Sequence, residues 1–240
     1  MIAVRLHTEG AGLKTLLQWL QDTFGYHCRD LTLFEAALTH RSAGNPHNER
    51  LEFLGDAVLN CVTASILYRC FSHADEGDLS RYRATLVSGE SLAAIAAQIN
   101  IGERLRLGAG ELKSGGFRRK SILADTLEAL LGAIYLDGGF AEATAVIERI
   151  FAERVPLLPS AAQLKDPKTR LQEALQSRAV ALPEYAVEKI SGEPHAQHFV
   201  MRCVIPSLEL RAMGEGTSRR AAEQAAAEVV LEKLTQLWAR

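Results

Sequence analysis

From Leu13 to about Ala152 the apolar residues recur at i, i+3 and i+4, with few of the alternating stretches that mark strands. The spacing predicts helices over "LKTLLQWLQDTF", "LFEAALTH", "ERLEFLGDAVLNCVTASILYRCF" and "DLSRYRATLVS", then over "ESLAAIAAQI", "SILADTLEALLGAIYLD" and "AEATAVIERIFAERV". This half reads as all-α. The period is then lost in "PLLPSAAQLKDPKT", which carries three prolines and reads as a linker, and Asp166 followed by Pro167 predicts the N-cap and first turn of a new helix. After "KTRLQEALQSR" come short β-favouring runs, "PEYAVEKISG", "HFVMRCVIP" and "LELRAMGEG", bounded by Gly and Pro. A long Ala-rich helix, "SRRAAEQAAAEVVLEKLTQLWA", closes the chain. The order α-β-β-β-α predicts a small α+β domain with two helices on one face of an antiparallel sheet. The expected division is an all-α domain over 1–155, a linker over 156–166 and the α+β domain over 167–240.

Within the third predicted helix, Glu49, Glu52 and Asp56 stand at i, i+3 and i+7, so three like charges share one stripe. An acid row of this kind is ordinarily a solvated face. A second pair, Asp125 and Glu128, sits at i, i+3 in an otherwise apolar helix. If the two helices cross, Glu52, Asp56, Asp125 and Glu128 meet, and such a cluster stays ionised only around a divalent cation. Carboxylates without histidine or thiolate are hard oxygen donors, which favour Mg²⁺, with Mn²⁺ as a substitute, over Zn²⁺. The chemistry such a site suits is phosphodiester hydrolysis, in which the metal lowers the pKa of a bound water and stabilises charge on the leaving oxygen. His40 and His47 lack metal-ligand spacing and read as structural.

Composition changes this picture little. With 240 residues, 48% hydrophobic, 23% charged and a formal net charge of -2, the chain is an ordinary globular protein, and any polyanion must be bound by local arrangement of charge. Cys28, Cys61, Cys70 and Cys203 form no C-x-x-C pair, and Cys61 and Cys70 fall in apolar helical pattern, so a reduced, cytoplasmic protein is expected. The N-terminus lacks a signal-peptide pattern, and no segment is expected to span or anchor to a membrane.

"HNERLEFLGDAVL" resembles the signature motif of ribonuclease III, and "DEGDLSRYRATLVS", "LRLGAGELKSGGFRRKSILADTLEALLGAIYLDGG" and the α-β-β-β-α unit are similar to the rest of that family in the same order. The likeness covers nearly the whole chain and matches the bacterial type: an all-α endonuclease domain followed by a double-stranded RNA-binding domain. It implies that Glu52, Asp56, Asp125 and Glu128 hold metal, that Asp56 and Glu128 are catalytic, and that Glu49 and Glu76 are helpers. It also implies a homodimer that cuts both strands, leaving 5′-phosphate, 3′-hydroxyl ends with short 3′ overhangs, in the processing of ribosomal RNA precursors and other structured transcripts. Phe53 and Leu54 are interface candidates, though core packing explains them equally well.

Duplex RNA shows its 2′-hydroxyls in a shallow minor groove, so a duplex-binding module must touch two minor grooves and the phosphates between them. Gly216, Thr217 and Ser218 lead into a helix start whose free N–H groups favour phosphate, and Arg219 and Arg220 add charge there. By resemblance, Gln172 with Glu173 and the loop around Pro194 and His195 face the minor groove. Arg118 and Arg119, with Lys113 and Lys120, are placed to hold phosphates beside the metal. No small-molecule cofactor is expected. A non-catalytic duplex-RNA binder on the same fold is the main alternative, and the four intact acids weigh against it; a phosphohydrolase of small nucleotides would leave Arg219 and Arg220 without a purpose.

Overall fold

The computed structural model describes residues 16–193 and 195–238. The chain divides into two compact units, Met1–Leu158 and Pro159–Arg240.

The first unit is helical, as its period predicts. Helix α1 (16–24) and α2 (Leu31–Ala37) precede α3 (Glu49–Cys70), α4 (Glu76–Leu86) and α5 (Gly89–Gln98). A short α6 (Ala109–Lys113), α7 (Lys120–Gly138) and α8 (Phe140–Phe151) complete it. Helix α7 is the axle of the unit. Its run from Ile122 to Ile134 is buried on nearly every side, with α3, α5, α8 and α2 packed around it. Such a helix is apolar all round because no face meets water, and each fully buried Leu or Ile contributes about 2 kcal/mol.

The longest of these contacts, α3 on α7, depends on two glycines. A Cβ at Gly55 would lie 1.8 Å from the Glu128 carbonyl oxygen, and one at Gly132 would lie 2.3 Å from that of Leu51. Only bare backbone lets the helices approach this closely. Leu51, Val58, Leu59, Val62, Ile66 and Leu67 are buried on the inner side of α3.

Two sequence expectations change here. Cys61 and Cys70 are exposed rather than packed as small hydrophobes, because they fall on the outward side of α3. Helix α3 is long and apolar enough, by length and composition, to cross a membrane, contrary to the expectation that no run approaches that length. Its buried stripe against α7 and its charges, Glu49, Arg50, Glu52, Asp56 and Arg69, are those of a core helix. The segment read as a linker, where the helical period is lost, carries a 3₁₀ turn, Val155–Leu157, and a one-turn helix α9 (Ala161–Leu164).

In the second unit α10 (Pro167–Gln176) starts as predicted: Asp166 accepts from the backbone N of Lys168 at 3.1 Å and of Thr169 at 3.2 Å, with Pro167 in the first turn. Strands β1 (Glu184–Ser191), β2 (His198–Ile205) and β3 (Leu210–Gly216) form an antiparallel sheet in the order β1-β2-β3, with a bulge between Val187 and Lys189. Strand β2 alternates, burying Phe199, Met201, Cys203 and Ile205. Helix α11 (Arg219–Trp238) lays Ala222, Ala226, Ala227, Val230 and Leu234 on that face, and α10 adds Leu171 and Leu175. Two ion pairs tie the helices together, Lys168 with Glu223 at 2.6 Å and Arg170 with Glu228 at 3.3 Å.

Gly55→Ala is expected to destabilise the first unit by about 3 kcal/mol or more, since the new methyl overpacks backbone that cannot yield. Gly89→Ala, at an open position, should leave stability unchanged or slightly raised. Thermal denaturation followed by helical circular dichroism checks both; equal transitions would show that the α3–α7 crossing tolerates a side chain.

Candidate active site

The close α3–α7 crossing also sets the acids. Glu52 projects from the first turn of α3, while Asp125 and Glu128 occupy the half-exposed side of an otherwise buried α7. Carboxylate oxygens of Glu52, Asp125 and Glu128 lie within 4.8 Å of one another. At that separation two ionised carboxylates repel by about 3 kcal/mol at an effective dielectric of about 20, so the three cannot all stay charged without compensation.

Their protonation reflects this. Burial, then the charges of Asp56, Asp125 and Glu52, push the Glu128 carboxyl up to about 8. Burial, then Asp125 and Glu49, also raise Glu52, with Arg41 opposing; burial raises Asp125, opposed by His40 and Arg41. Asp56 stands outside the close set. It is exposed, and its Oδ1 accepts from Asn60 Nδ2 at 2.8 Å, yet its charge is the largest of the neighbouring charges acting on Glu128.

The cluster opens on a groove of about 570 Å³. Glu49 and Glu52 line it from α3, and Ser121 and Asp125 from α7. His40, Arg41 and Ser42 form a further wall, on a turn held by Gly108 N donating to Ser42 Oγ at 2.9 Å and His40 N donating to the Arg106 carbonyl at 3.0 Å. Glu111 and Arg119 face each other across 2.6 Å on the remaining side. The two histidines read as structural each anchor a local turn: His40 Nδ1 accepts from Ser42 N at 3.2 Å and His47 Nδ1 from Glu49 N at 3.4 Å, while His40 also lines the groove. Hard carboxylate oxygens, crowded to the point that one of them holds a proton near neutrality, fit a divalent cation of the Mg²⁺ kind.

Sequence reasoning missed Arg41, Ser42, Asn48 and Glu111 in this lining. None carries a local signal; Glu111 reads as part of a basic Gly-rich loop, and only the fold of α6 turns it toward α3. Glu49 lines the groove and accepts from Arg41 Nη1 at 3.0 Å, whereas Glu76 is exposed in the first turn of α4 and does not line it. Arg118 lies over the Phe117 ring, 5.0 Å from its centroid, outside the groove lining.

In the second unit Arg219 and Arg220 are exposed as the first residues of α11, and Ser218 Oγ accepts from Ala221 N at 3.1 Å. Gln172 and Glu173 are exposed on α10, with Glu173 held by Lys165 Nζ at 2.7 Å, and His195 is exposed in the β1–β2 loop. Pro194 lies outside the described residues.

Residues 30–155 match the family described as Ribonuclease-III-like, and 167–234 match the double-stranded RNA binding motif. The chain is 52% identical over 218 residues to Ribonuclease 3 of Aromatoleum aromaticum, covering 91% of this chain and 97% of that one. It is 51% identical over 216 residues to Ribonuclease 3 of Vibrio cholerae, covering 90% and 96%. The solved nuclease domain of Ribonuclease III from Campylobacter jejuni, in a study of flexibility in its dimer-forming region, matches 58% of this chain and 99% of its own at 41% identity with a TM-score of 0.56.

In cation-free protein, Glu128 keeps its proton in the fold to about pH 8 but ionises near 4.5 in the unfolded chain. Across that window the folded state binds the extra proton, so stability falls as pH rises from 4.5 and the decline ends above about 8. Glu128→Gln is expected to flatten this decline when urea denaturation is followed in EDTA at several pH values; an equally steep decline in the variant would assign it to another group.

Proposed function

The chain belongs to the ribonuclease III family, and on that premise we propose that it is an endoribonuclease that hydrolyses both strands of duplex RNA at the α3–α7 acid cluster. The observation that carries the reading is the convergence of Glu52, Asp125 and Glu128 beside an open groove, in a chain whose second unit matches a duplex-RNA-binding motif. The products are expected to carry 5′-phosphate and 3′-hydroxyl ends with short 3′ overhangs, and the substrates to be ribosomal RNA precursors and other structured transcripts. Four unpaired thiols fit a reducing cytoplasm.

Glu52, Asp125 and Glu128 would hold Mg²⁺, with Asp56 completing the acid set from the exposed side of α3. When bound, the cation supplies a Lewis acid and a water of lowered pKa. Glu128 would have to give up its proton to hold the cation, and it and Asp56 are the acids on which turnover would depend. Arg118, Arg119, Arg219, Arg220, Ser218, Gln172, Glu173, Pro194 and His195 would hold the duplex by its phosphates and minor groove.

Two active sites for two strands require two copies. The outward stripe of α3 supplies an apolar surface, with Phe53 80% and Tyr68 74% exposed and Ala57 and Cys61 exposed between them. Large aromatics left in water at this spacing fit a helix face covered by a second copy.

Glu128→Ala is expected to abolish Mg²⁺-dependent cutting of a long perfect RNA duplex while leaving duplex binding intact, read on a sizing gel and by electrophoretic shift. Binding without cutting by the unaltered protein would instead identify a non-catalytic duplex binder. Phe53→Asp is expected to halve the mass found by light scattering at unchanged helical content, and an unaltered mass would remove the α3 stripe from the subunit contact.

A further inference from the structure

Beside the acid cluster, the groove holds basic and polar groups of which the proposed function has used only Arg119. Arg41 and Arg119 stand on two of its walls, and each pairs with a carboxylate of the same groove: Arg41 Nη1 with Glu49 at 3.0 Å and Arg119 Nη1 with Glu111 at 2.6 Å. The long helices α3 and α7 both begin at this groove; neither N-cap residue, Asn48 or Arg119, caps its helix through its side chain, and at the α3 start only the Glu49 N–H finds a side-chain acceptor, His47 Nδ1. Asn48, the N-cap residue of α3, is only 2% exposed as a residue and lines the groove, and its amide makes no capping hydrogen bond to the helix.

Guanidiniums, helix starts and an amide with N–H to give are the donors that recognise an oxyanion. We propose that this groove seats a second phosphate of the RNA strand being cut, adjacent to the scissile one, held by Arg41, Arg119 and the Asn48 amide. The inference rests on the nuclease reading above and adds Arg41 and Asn48 to its substrate contacts.

The charge of the lining decides how strongly the seat works. Arg41 and Arg119 face Glu49, Glu52, Glu111 and Asp125, so the groove alone carries excess negative charge and repels phosphate. A divalent cation on Glu52, Asp125 and Glu128 cuts that excess negative charge, and the clamp engages more strongly in cation-loaded protein. Until then Glu49 and Glu111 each hold one guanidinium through a single contact, and the phosphate replaces them as partner. The turn that carries Arg41 is fixed to the Arg106–Gly108 segment by the bonds to Ser42 and His40, while the Arg41 side chain itself is 70% exposed and can exchange its carboxylate partner for phosphate.

The test uses the full chain, Mg²⁺, and RNA duplexes in which single phosphates flanking the cut are replaced by neutral methylphosphonates. One flanking replacement is expected to slow the unaltered protein about tenfold in kcat/KM, the worth of one charged hydrogen bond. Arg41→Gln should show that loss on the native duplex and no further loss at the same replaced phosphate, and Arg41→Lys should regain part of it. A readout free of cutting is duplex binding in Ca²⁺ against EDTA: Ca²⁺ should tighten binding by the unaltered protein more than by Arg41→Gln, whose salt slope should be smaller by about one. Cutting by Arg41→Gln at the parental rate, or undiminished sensitivity at every replaced phosphate, overturns the proposal. Should the unaltered protein not cut the native duplex at all, the nuclease reading fails by itself, and the Ca²⁺ binding comparison alone decides the clamp.

Discussion

The contact between α3 and α7 at Gly55 and Gly132 governs the rest of the first unit. Both glycines are used for want of a side chain, and the backbones meet at distances where a methyl would collide with carbonyl oxygen. This contact does two things at once. It closes the core around α7, and it carries Glu52 toward Asp125 and Glu128, so the apolar packing of the helices supplies the energy that holds three carboxylates within 4.8 Å. Stability and chemistry are thus opposed on a single interface. The raised Glu128 shows how far the opposition goes in the absence of a cation.

The groove extends the same logic outward. Its arginines are each matched to an acid, and its acids outnumber them. On the proposed reading, a divalent cation at the acid cluster lowers the local negative charge and so favours entry of an anionic substrate. The second unit relies on a different device, with Arg219 and Arg220 placed at a helix start where the helix dipole disfavours them. Unfavourable charge tolerated at a surface marks a partner of the opposite sign, and the matched motif over 167–234 names duplex RNA as that partner.

Much of this was legible along the chain. The helical period of the first unit, the Asp166–Pro167 start of α10 and the alternation in β2 all follow from local rules, because a helix or strand face is written at fixed spacing. The acids stood out for a similar reason, being charged residues at core-like positions. The turn carrying Arg41, the inward aim of Glu111 and the burial of Asn48 were not legible. Each is polar in a polar or Gly-rich stretch, where sequence offers no period against which to measure an exception. The exposure of Cys61 and Cys70 was misread because helix α3 is apolar on both its core face and its outward stripe, and composition does not distinguish the two.

By itself, the sequence determined the element types, their order, the two-unit organisation and the four acids, since each depends on periodicity or on residue chemistry within a few turns. Tertiary structure alone decided which acids meet, which stand apart, and which arginines share their groove. Those outcomes depend on where two helices cross, and the crossing is set by two glycines whose meaning appears only when residues far apart in the chain, Gly55 and Gly132, come into contact.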